Sequence, residues 1–255
     1  MTNRYFIKLA YNGSGFHGWQ VQSSARTVQG VMEEALSKVL RSRIQLMGCG
    51  RTDTGVHAGD FYAHFDFHHK MKEEDLEHLA FKLNKMLGKE IAIYSIFPVG
   101  EEAHARFDAT HRRYHYRIAR KKNPFEADFS WYLFGKLDIH RMNQACEIMK
   151  EHKDFECFSK VNTDVKTFLC DIYEAQWTET EDMLIFSITA NRFLRNMVRA
   201  IVGTMIDLGQ HKIDPEDFRK ILESRDRSEA GFSVPAKGLF LAEVGYPEGL
   251  VEDNV

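Results

Sequence analysis

Long hydrophobic runs are absent from this sequence, and their absence argues against a membrane protein. No apolar run approaches the roughly 18 residues that a helix needs to span a bilayer. Residues 1–6 lack the apolar core of a signal peptide. We therefore expect a soluble, cytoplasmic protein with no membrane partner. Its 255 residues, 44% of them apolar, can form the core of one large domain or of two small fused ones.

Paired cysteines are also missing, which argues against a disulfide framework and against a zinc site. The cysteines form no C-x-x-C pair and have no H-x-x-x-H partner; they are Cys49, Cys146, Cys157 and Cys170. We expect reduced thiols. The histidines considered as metal ligands lack accompanying carboxylates, so we predict no metal; they are His64, His68, His69, His104, His111 and His115.

Charge is unevenly distributed along the chain, although the formal net charge is only −3. Residues 111–122 read HRRYHYRIARKK and contain no acid, whereas acids collect around residues 73–77, 214–229 and the tail. A basic strip with interleaved aromatic residues is typical of a surface that binds phosphates and exposed bases. The alternative is a solvated edge strand that is protected by its charges.

Hydrophobic periodicity predicts the order βαββαβ in the first part of the chain. Alternating patterns predict strands over residues 5–11, 44–47, 61–67 and 91–97, and a helical pattern covers residues 73–87. Thr27 is predicted to be the N-cap of a further helix. The apolar face of that helix contains Val28, Val31, Met32, Ala35, Leu36, Val39 and Leu40.

The second part of the chain repeats this order, with one additional helix. The pattern predicts strands over residues 110–120, 168–178, 183–190 and 239–244, and helices over 139–151, from Arg192 onward, and over 215–223. We therefore predict an α+β fold of two fused ferredoxin-like halves, residues 1–103 and 104–255. The halves are expected to form a largely antiparallel sheet flanked by helices, with a central basic cleft. No Pro/Gly/Ser-rich linker marks a hinge near residues 100–107, so we expect a tight fusion.

One short polar segment predicts a catalytic loop. Residues 50–57 read GRTDTGVH and place Asp53 between two glycines and close to Arg51, in a segment too polar for a core. A buried carboxylate needs a charged partner, because desolvating an unpaired charge is costly. At about 100° per residue, a helix over residues 191–203 would align Arg192, Arg195 and Arg199 along one stripe facing a cleft. The alternative is that these arginines are solvated on an outer face.

Two other motifs resemble known sites only superficially. Residues 13–18 fit G-x-G-x-x-G, but the following residues lack helical periodicity and no acid ends a second strand. We interpret this segment as a glycine-rich turn that packs Phe16 and Trp19. Asp53-Thr54-Gly55 is the aspartic-protease tripeptide, whose chemistry needs two carboxylates, and this sequence has only one such triplet.

Across nearly its full length, the chain resembles the tRNA pseudouridine synthase A (TruA) family. The resemblance rests on six ordered motifs. They are Y-x-G-x-x-F-x-G-W-Q at residues 11–20 with TVQG at 27–30, GRTDTGVH at 50–57, HARF at 104–107, RYHY at 113–116, MVR at 197–199 with Gly203, and GL-x-L at 238–241 before Tyr246-Pro247.

The resemblance implies isomerisation of uridine to pseudouridine at positions 38, 39 and 40 of the tRNA anticodon stem-loop, without cofactor or metal, by a homodimer. Asp53 matches the family's essential aspartate, acting as nucleophile or as base. Tyr114 matches the tyrosine that would stack on the flipped uracil. Arg199 matches the arginine that pairs with the aspartate, and Arg51 the arginine that helps to extrude the nucleotide. Phosphate contacts are expected from Arg112, Arg117, Arg120, Lys121, Lys122, Arg192 and Arg195.

Two departures from the family pattern affect these expectations. Thr54 stands where alanine is common, and its added hydroxyl is small. Cys170-Asp171 stands where the family often has arginine, which would change the phosphate contacts there and narrow or shift the target positions. The alternative function is an RNA-binding or RNA-folding module without turnover. The intact set of Asp53, Tyr114 and Arg199 argues against that alternative.

Overall fold

The computed structural model describes residues 2–161 and 165–251 of the chain. The chain is organised into two compact units. The first comprises Met1–Thr110 together with Leu241–Val255, and the second comprises His111–Phe240. The end of the chain therefore returns to the unit in which the chain begins. The division into residues 1–103 and 104–255 stays a prediction about domains.

The first unit contains an antiparallel sheet. Its elements are β1 (Asn3–Tyr11), α1 (Val28–Leu40), β2 (Met47–Gly48), β3 (His57–Phe67), α2 (Glu73–Met86) and β4 (Ile91–Val99). Strand β1 lies between β4 and β3 and pairs antiparallel with both, and the short β2 pairs with β3. This arrangement places the start of β3, and the loop that precedes it, near the end of β1, because Tyr11 pairs with Ala58.

The helices of the first unit form where the sequence supplies a cap and an apolar stripe. The hydroxyl of Thr27 accepts a hydrogen bond from the backbone N–H of Gly30 at 3.3 Å, which confirms the predicted N-cap of α1. Acidic residues fill the first turn of α2, where they suit the positive end of the helix dipole. The core contains Val28, Met32, Ala35 and Leu36 of α1, Leu76, Leu79 and Leu83 of α2, and Tyr5, Ile7, Leu9, Phe61 and Phe65 of the sheet.

The predicted strand over residues 44–47 is wrong in its extent. The backbone N–H of Ile44 donates to the hydroxyl of Ser37 at 3.0 Å, and that of Leu46 donates to the carboxylate of Glu33 at 2.8 Å. These residues therefore bond to side chains of α1, and sheet pairing begins only at Met47. Alternating burial of Ile44 and Leu46 produced the strand-like pattern.

The second unit contains further antiparallel pairings. Its elements are β5 (His111–Ala119), β6 (Trp131–Tyr132), α3 (Ile139–Lys150), β7 (Ile172–Glu179), β8 (Met183–Ala190), α4 (Met197–Gly209) and α5 (Pro215–Ser224). Strand β8 lies between β5 and β7 and pairs antiparallel with both, whereas β6 pairs parallel with β5. The last strand, β9 (Leu239–Gly245), belongs from Leu241 onward to the first unit, where it lies beside β3.

Strand β7 begins later than the predicted residue 168. The backbone N–H of Phe155 donates to the carbonyl of Phe168, and that of Cys170 donates to the carbonyl of Lys153. Residues 168–170 therefore pair with residues 153–155 before the chain enters the sheet. The short strand β6 was not predicted, because a two-residue strand has no measurable periodicity.

The prediction that a helix begins at Arg192 is also wrong. Helix α4 begins at Met197, because Asn196 adopts a left-handed conformation with φ of 67°. A residue in that conformation cannot continue a right-handed helix. Arg192 and Arg195 therefore precede α4, and the predicted stripe of arginines does not form; only Arg199 of that set lies on the helix.

The α+β class, the largely antiparallel pairing and the flanking helices are confirmed. The ferredoxin-like character of the halves and the basic cleft stay predictions. Within residues 2–161 and 165–251, no helix is long and apolar enough to cross a membrane. In the same residues, no cluster of three or more His, Cys, Asp or Glu side chains could hold a metal ion.

The cysteines are buried free thiols. Burial raises the pKa of the Cys146 and Cys157 thiols to about 12 and that of Cys170 to about 11. These thiols are therefore protonated near neutral pH, and they are packed as small apolar side chains.

Candidate active site

Asp53 lies in a tight loop between β2 and β3, residues 49–56, which we call the Asp53 loop. The Asp53 side chain is half-buried, and its neighbours Arg51 and Thr54 are exposed. The backbone N–H of Val56 donates to the carbonyl of Asp53 at 3.1 Å and closes the turn. Gly55 has a φ of 79°, a conformation that glycine adopts at little cost.

The Asp53 loop is bound on both sides of the aspartate to residues 11–19, which we call the glycine-rich segment. On the N-terminal side, the hydroxyls of Thr52 and Tyr11 are hydrogen-bonded at 2.9 Å, and Trp19 N–H donates to the carbonyl of Thr52 at 3.2 Å. On the C-terminal side, Gly55 N–H donates to the carbonyl of Phe16 at 3.3 Å. The backbone that carries Asp53 is therefore fixed from both directions.

His57 adds a further connection between the same two segments. Its side chain is only 1% exposed, and its Nδ1 accepts a hydrogen bond from the backbone N–H of Gly13 at 3.1 Å. An accepting Nδ1 carries no proton, so the ring is the tautomer protonated at Nε2.

Two glycines of the glycine-rich segment are required by this close approach. A Cβ at Gly13 would lie 2.0 Å from the carbonyl oxygen of Val56. A Cβ at Gly18 would lie 2.4 Å from the carbonyl oxygen of Thr52, and Gly18 also has a φ of 85°. The residues of the G-x-G-x-x-G pattern therefore form a turn whose backbone packs directly against the backbone of the Asp53 loop. The predicted packing of Phe16 and Trp19 is confirmed, since both are 2% exposed.

In the second unit, Tyr114 lies in the middle of β5, where it pairs with Ile188 of β8. Its half-buried ring packs edge-to-face against Phe193 with ring centroids 5.0 Å apart. Side chains alternate across a strand, so Arg112 shares the face of Tyr114. The Arg112 guanidinium donates to the carbonyl of Asn191 at 3.0 Å.

The basic strip of residues 111–122 is divided by this alternation. Arg117 projects from the opposite face of β5, where its guanidinium lies 4.2 Å from the ring centroid of Phe240. Arg120 donates to the carbonyls of Leu133 and Gly135. The strip therefore does not form a single row of cations on one face.

Lys121, in the same strip, forms ion pairs with the carboxylates of Glu181 and Asp182 at 3.2 and 2.6 Å. Hydrogen bonds to these two carboxylates raise the pKa of Lys121. Lys122 is exposed.

Arg199 lies in the first turn of α4, and its Nε–H donates to the carbonyl of Val234 at 2.7 Å. The backbone N–H of Val234 donates in turn to the carbonyl of Arg199 at 3.2 Å. This contact depends on Gly203, because a Cβ there would lie 1.8 Å from the carbonyl oxygen of Phe232. Because Gly203 lies one turn after Arg199, residues 231–234 can pack closely across α4, and Val234 can bind the Arg199 side chain.

Arg192 and Arg195 lie on the segment that leads into α4, where Arg192 is half-buried and Arg195 is exposed. Where the sequence departs from the family pattern, Asp171 binds Lys153 as an ion pair and exchanges two hydrogen bonds with Asn191 at 2.9 and 3.0 Å. Asp171 therefore joins the start of β7 to the end of β8.

The structure places Asp53 and Arg51 on one loop of the first unit, and Tyr114 and Arg112 on one face of β5 in the second. No role was predicted for Tyr11, Thr52 or His57, although all three lie in the motifs that carry the resemblance. The signal that could have identified them is the repeated close spacing of glycine with hydrogen-bonding side chains in both segments.

Comparison with known proteins shows the family to which the chain is similar. The sequence pattern of a family described as tRNA pseudouridine synthase matches residues 9–108 and 150–247. A tRNA pseudouridine synthase A from Parabacteroides distasonis is 50% identical over 252 residues, covering 98% of this chain and 99% of the relative. The enzyme of that name from Bacteroides thetaiotaomicron is 47% identical over 254 residues, covering 98% and 93%. That from Bacillus subtilis is 37% identical over 242 residues, covering 93% and 97%.

The chain belongs to the tRNA pseudouridine synthase family. Pseudouridine synthases are isomerases, and the protein is therefore an enzyme of that class.

Proposed function

We propose that this protein converts uridine to pseudouridine at positions 38, 39 and 40 of the tRNA anticodon stem-loop, using Asp53 and no cofactor. The family membership supports tRNA as the substrate, since the relatives are named tRNA pseudouridine synthase A. The observation that carries the proposal is the fixed backbone on both sides of Asp53, because a catalytic group must be held in one geometry while the substrate rearranges.

The proposed reaction needs one side chain that reacts with the ribose or with the uracil base. The bond from N1 of uracil to C1′ of the ribose breaks, the base rotates, and C5 bonds to C1′; the C5 hydrogen leaves as a proton, and N1 takes up a proton. Asp53 serves either as a nucleophile, which forms a covalent adduct, or as a base, which removes the 2′ proton.

The other site residues support this chemistry in the proposal. Tyr114 stacks on the extruded uracil, and such stacking is worth roughly 1–3 kcal/mol per base. Arg199 pairs with Asp53 and orients its carboxylate, since an arginine–carboxylate pair is strong and directional. Arg51, which is exposed beside Asp53, helps to extrude the nucleotide.

The remaining contacts position the RNA without reading its sequence. Phosphates are bound by Arg112, Arg117, Arg120, Lys121, Lys122, Arg192 and Arg195 in this proposal. The basic cleft, the homodimer and the cytoplasmic location belong to the same proposal and follow from the family resemblance.

The experiment that tests the function is tritium release from tRNA transcripts labelled at C5 of uridine. Wild-type protein is expected to release tritium, because the new carbon–carbon bond replaces the C5 hydrogen. Asp53→Asn should release none and should bind tRNA within a few fold of wild type. Thr54→Ala is the matched control, since it changes the exposed neighbour of Asp53 and should retain activity.

The outcomes separate an enzyme from a binding module. If Asp53→Asn retains the wild-type rate, Asp53 is not the catalytic group. If wild-type protein binds tRNA but releases no tritium from any transcript, the protein is an RNA-binding module. Transcripts that carry a single uridine at 38, 39 or 40 then map the targets.

A further inference from the structure

The C-terminal ends of α1 and α2 line a surface hollow of about 420 Å³ that is strongly basic. We call it the basic hollow. Among the residues that the structure describes, its lining consists of four cations and two apolar side chains, with no carboxylate. The lining residues are Lys38, Val39, Arg41, Lys82, Lys85 and Met86.

Three of these four cations form no ion pair with a carboxylate among the residues that the structure describes. Lys38 forms an ion pair with Glu34 at 2.5 Å, and the ammonium of Lys85 lies 4.5 Å from the ring centroid of Phe81. Among the residues that the structure describes, the side chains of Arg41 and Lys82 form no ion pair with a carboxylate. The basic hollow therefore presents positive charge to solvent.

The helix dipole explains only part of this arrangement. Lys38 and Lys85 lie in the last turns of their helices, where a cation is stabilised by the negative end of the dipole. Lys82 lies earlier in α2, and the dipole does not account for the gathering of these cations around one hollow. Like charges that share a small surface repel one another, and a bound anion relieves the repulsion.

Apolar side chains beside the cations favour a nucleic acid over a small anion. Phe81 is 55% exposed and Met86 is 48% exposed, and both flank the basic residues. Lysine and arginine side chains bind phosphates, and an exposed aromatic ring stacks on an unpaired base. The combination suits an RNA strand, and the substrate of this enzyme family is an RNA.

Helix α1 separates the basic hollow from the Asp53 loop. At its N-terminal end, Val28 N–H donates to the carbonyl of Gly18 at 3.2 Å, and Gln29 N–H donates to that of Trp19 at 3.0 Å. These carbonyls belong to the glycine-rich segment that holds the Asp53 loop. The basic hollow lies at the other end of this helix of 13 residues, a length of about 20 Å. The nucleotide at Asp53 therefore cannot itself contact the basic hollow, and a phosphate bound there belongs to another part of the RNA.

We propose that the basic hollow binds the phosphate backbone of a tRNA segment outside the anticodon stem-loop, an inference that rests on the proposed function. It acts as a second contact that holds the body of the tRNA while the stem-loop occupies the catalytic site. The contact raises affinity for the whole tRNA and makes no contribution to the chemical step.

The test compares a full tRNA transcript with the isolated anticodon stem-loop of the same tRNA. Binding is measured in the Asp53→Asn background at several salt concentrations, with and without Arg41→Gln/Lys82→Gln. The double substitution should weaken binding to full tRNA about tenfold and reduce the slope of log affinity against log salt by about 1–2. Binding to the stem-loop should be unchanged, as should tritium release from the labelled stem-loop in the Asp53-containing protein.

Lys70→Gln/Lys136→Gln is the matched control, because it removes two exposed cations that do not line the basic hollow and that, like Arg41 and Lys82, form no ion pair among the described residues. It should leave both affinities near the wild-type values. Equal weakening for full tRNA and stem-loop, or no weakening for full tRNA, overturns the proposal. A wild-type protein that binds tRNA without releasing tritium instead overturns the proposed function, so the two failures are distinguishable.

Discussion

Tyr11 and His57 fix the Asp53 loop from opposite ends. Tyr11 bonds to Thr52, which immediately precedes the aspartate, and His57 bonds to Gly13 from the residue that follows the loop. Each contact is buried, so its loss leaves a polar group without its protein partner. These side chains therefore act on the geometry of the loop, and we regard them as positioning residues.

Tyr11→Phe removes the hydroxyl that bonds to Thr52 and leaves the packing of the ring in place. We expect it to lower the free energy of unfolding by about 1–3 kcal/mol, because the buried Thr52 hydroxyl loses its partner. We also expect a lower rate of tritium release at saturating tRNA, since the backbone before Asp53 is less firmly held. Tyr94→Phe is the control, because Tyr94 is 55% exposed; equal effects of the two substitutions would contradict the positioning role.

We expect His64 to make the free energy of unfolding depend on pH. Its ring is 7% exposed, its Nδ1 accepts a hydrogen bond from Ala105 N–H at 3.1 Å, and burial lowers its pKa to about 4, with Arg4 and His104 adding to the effect. The nearby carboxylates of Asp66 and Asp108 oppose this shift. The unfolded chain has the higher pKa, about 6.5, and so binds more protons as the pH falls.

The contribution of His64 to stability is therefore complete above about pH 6.5 and is lost as the pH falls from 6.5 toward 4. The full loss is of the order of 3 kcal/mol. His64→Asn keeps an acceptor for the Ala105 N–H but cannot be protonated in this range. Denaturant unfolding at pH 7 and pH 4.5 should show a smaller loss on acidification for this variant, and an equal loss would sink the assignment to His64.

At the scale of elements, α4 and the segment 231–234 form one structural unit around a glycine. Gly231 N–H donates to the hydroxyl of Thr204 at 2.8 Å, and Arg199 exchanges hydrogen bonds with Val234. The segment can approach the helix this closely only because Gly203 has no side chain. The position of the Arg199 guanidinium therefore depends on a residue one turn further along α4.

Gly203→Ala should displace residues 231–234, because its Cβ would lie 1.8 Å from the carbonyl oxygen of Phe232. We expect a loss of about 1–3 kcal/mol in the free energy of unfolding and a fall in activity, since Arg199 loses its fixed position. Gly100→Ala is the matched control, since a Cβ at Gly100 meets nothing within 4 Å. In thermal unfolding and in tritium release, Gly100→Ala should be close to wild type. If Gly100→Ala were as damaged as Gly203→Ala, the effect could not be assigned to the contact at Gly203.

At the scale of the whole molecule, the net charge of −3 does not show which cations are paired within the protein and which face solvent. Lys121 is neutralised by Glu181 and Asp182, and Arg120 is bonded to backbone carbonyls. Arg41 and Lys82, which the sequence did not single out, line the basic hollow instead. The number of cations in a segment is thus a poor guide to where the surface is positive.

The homodimer predicted from the family resemblance has a direct test. The resemblance implies a homodimer in which one RNA contacts both subunits. Light scattering after gel filtration should therefore give a mass near twice the chain mass of 29.6 kDa. A dimer held by a protein interface should keep this mass at high salt and in the absence of RNA. A mass of one chain at micromolar concentration would contradict the prediction.

The sequence predicted the elements whose periodicity is long and regular. Helix α1 with its Thr27 cap, β8 and α5 lie close to the predicted ranges, because an apolar stripe or a cap is encoded locally. Residues 44–46 and 168–170 were predicted as sheet strands and instead bond to other partners. Periodicity reports which side chains are buried, and it does not report where the backbone donors find their acceptors.

The sequence by itself determined the α+β class, the family and the position of Asp53 in a polar, glycine-flanked loop, because these depend on local pattern and on motif order. Tertiary structure alone decided that Tyr11, Thr52 and His57 hold that loop and that α4 begins after Arg192 and Arg195. It also brought the cations of α1 and α2 to one hollow. The reason is physical: hydrogen-bond partners, left-handed residues and clusters of like charge are set by which distant segments meet, and no local pattern of residues records that.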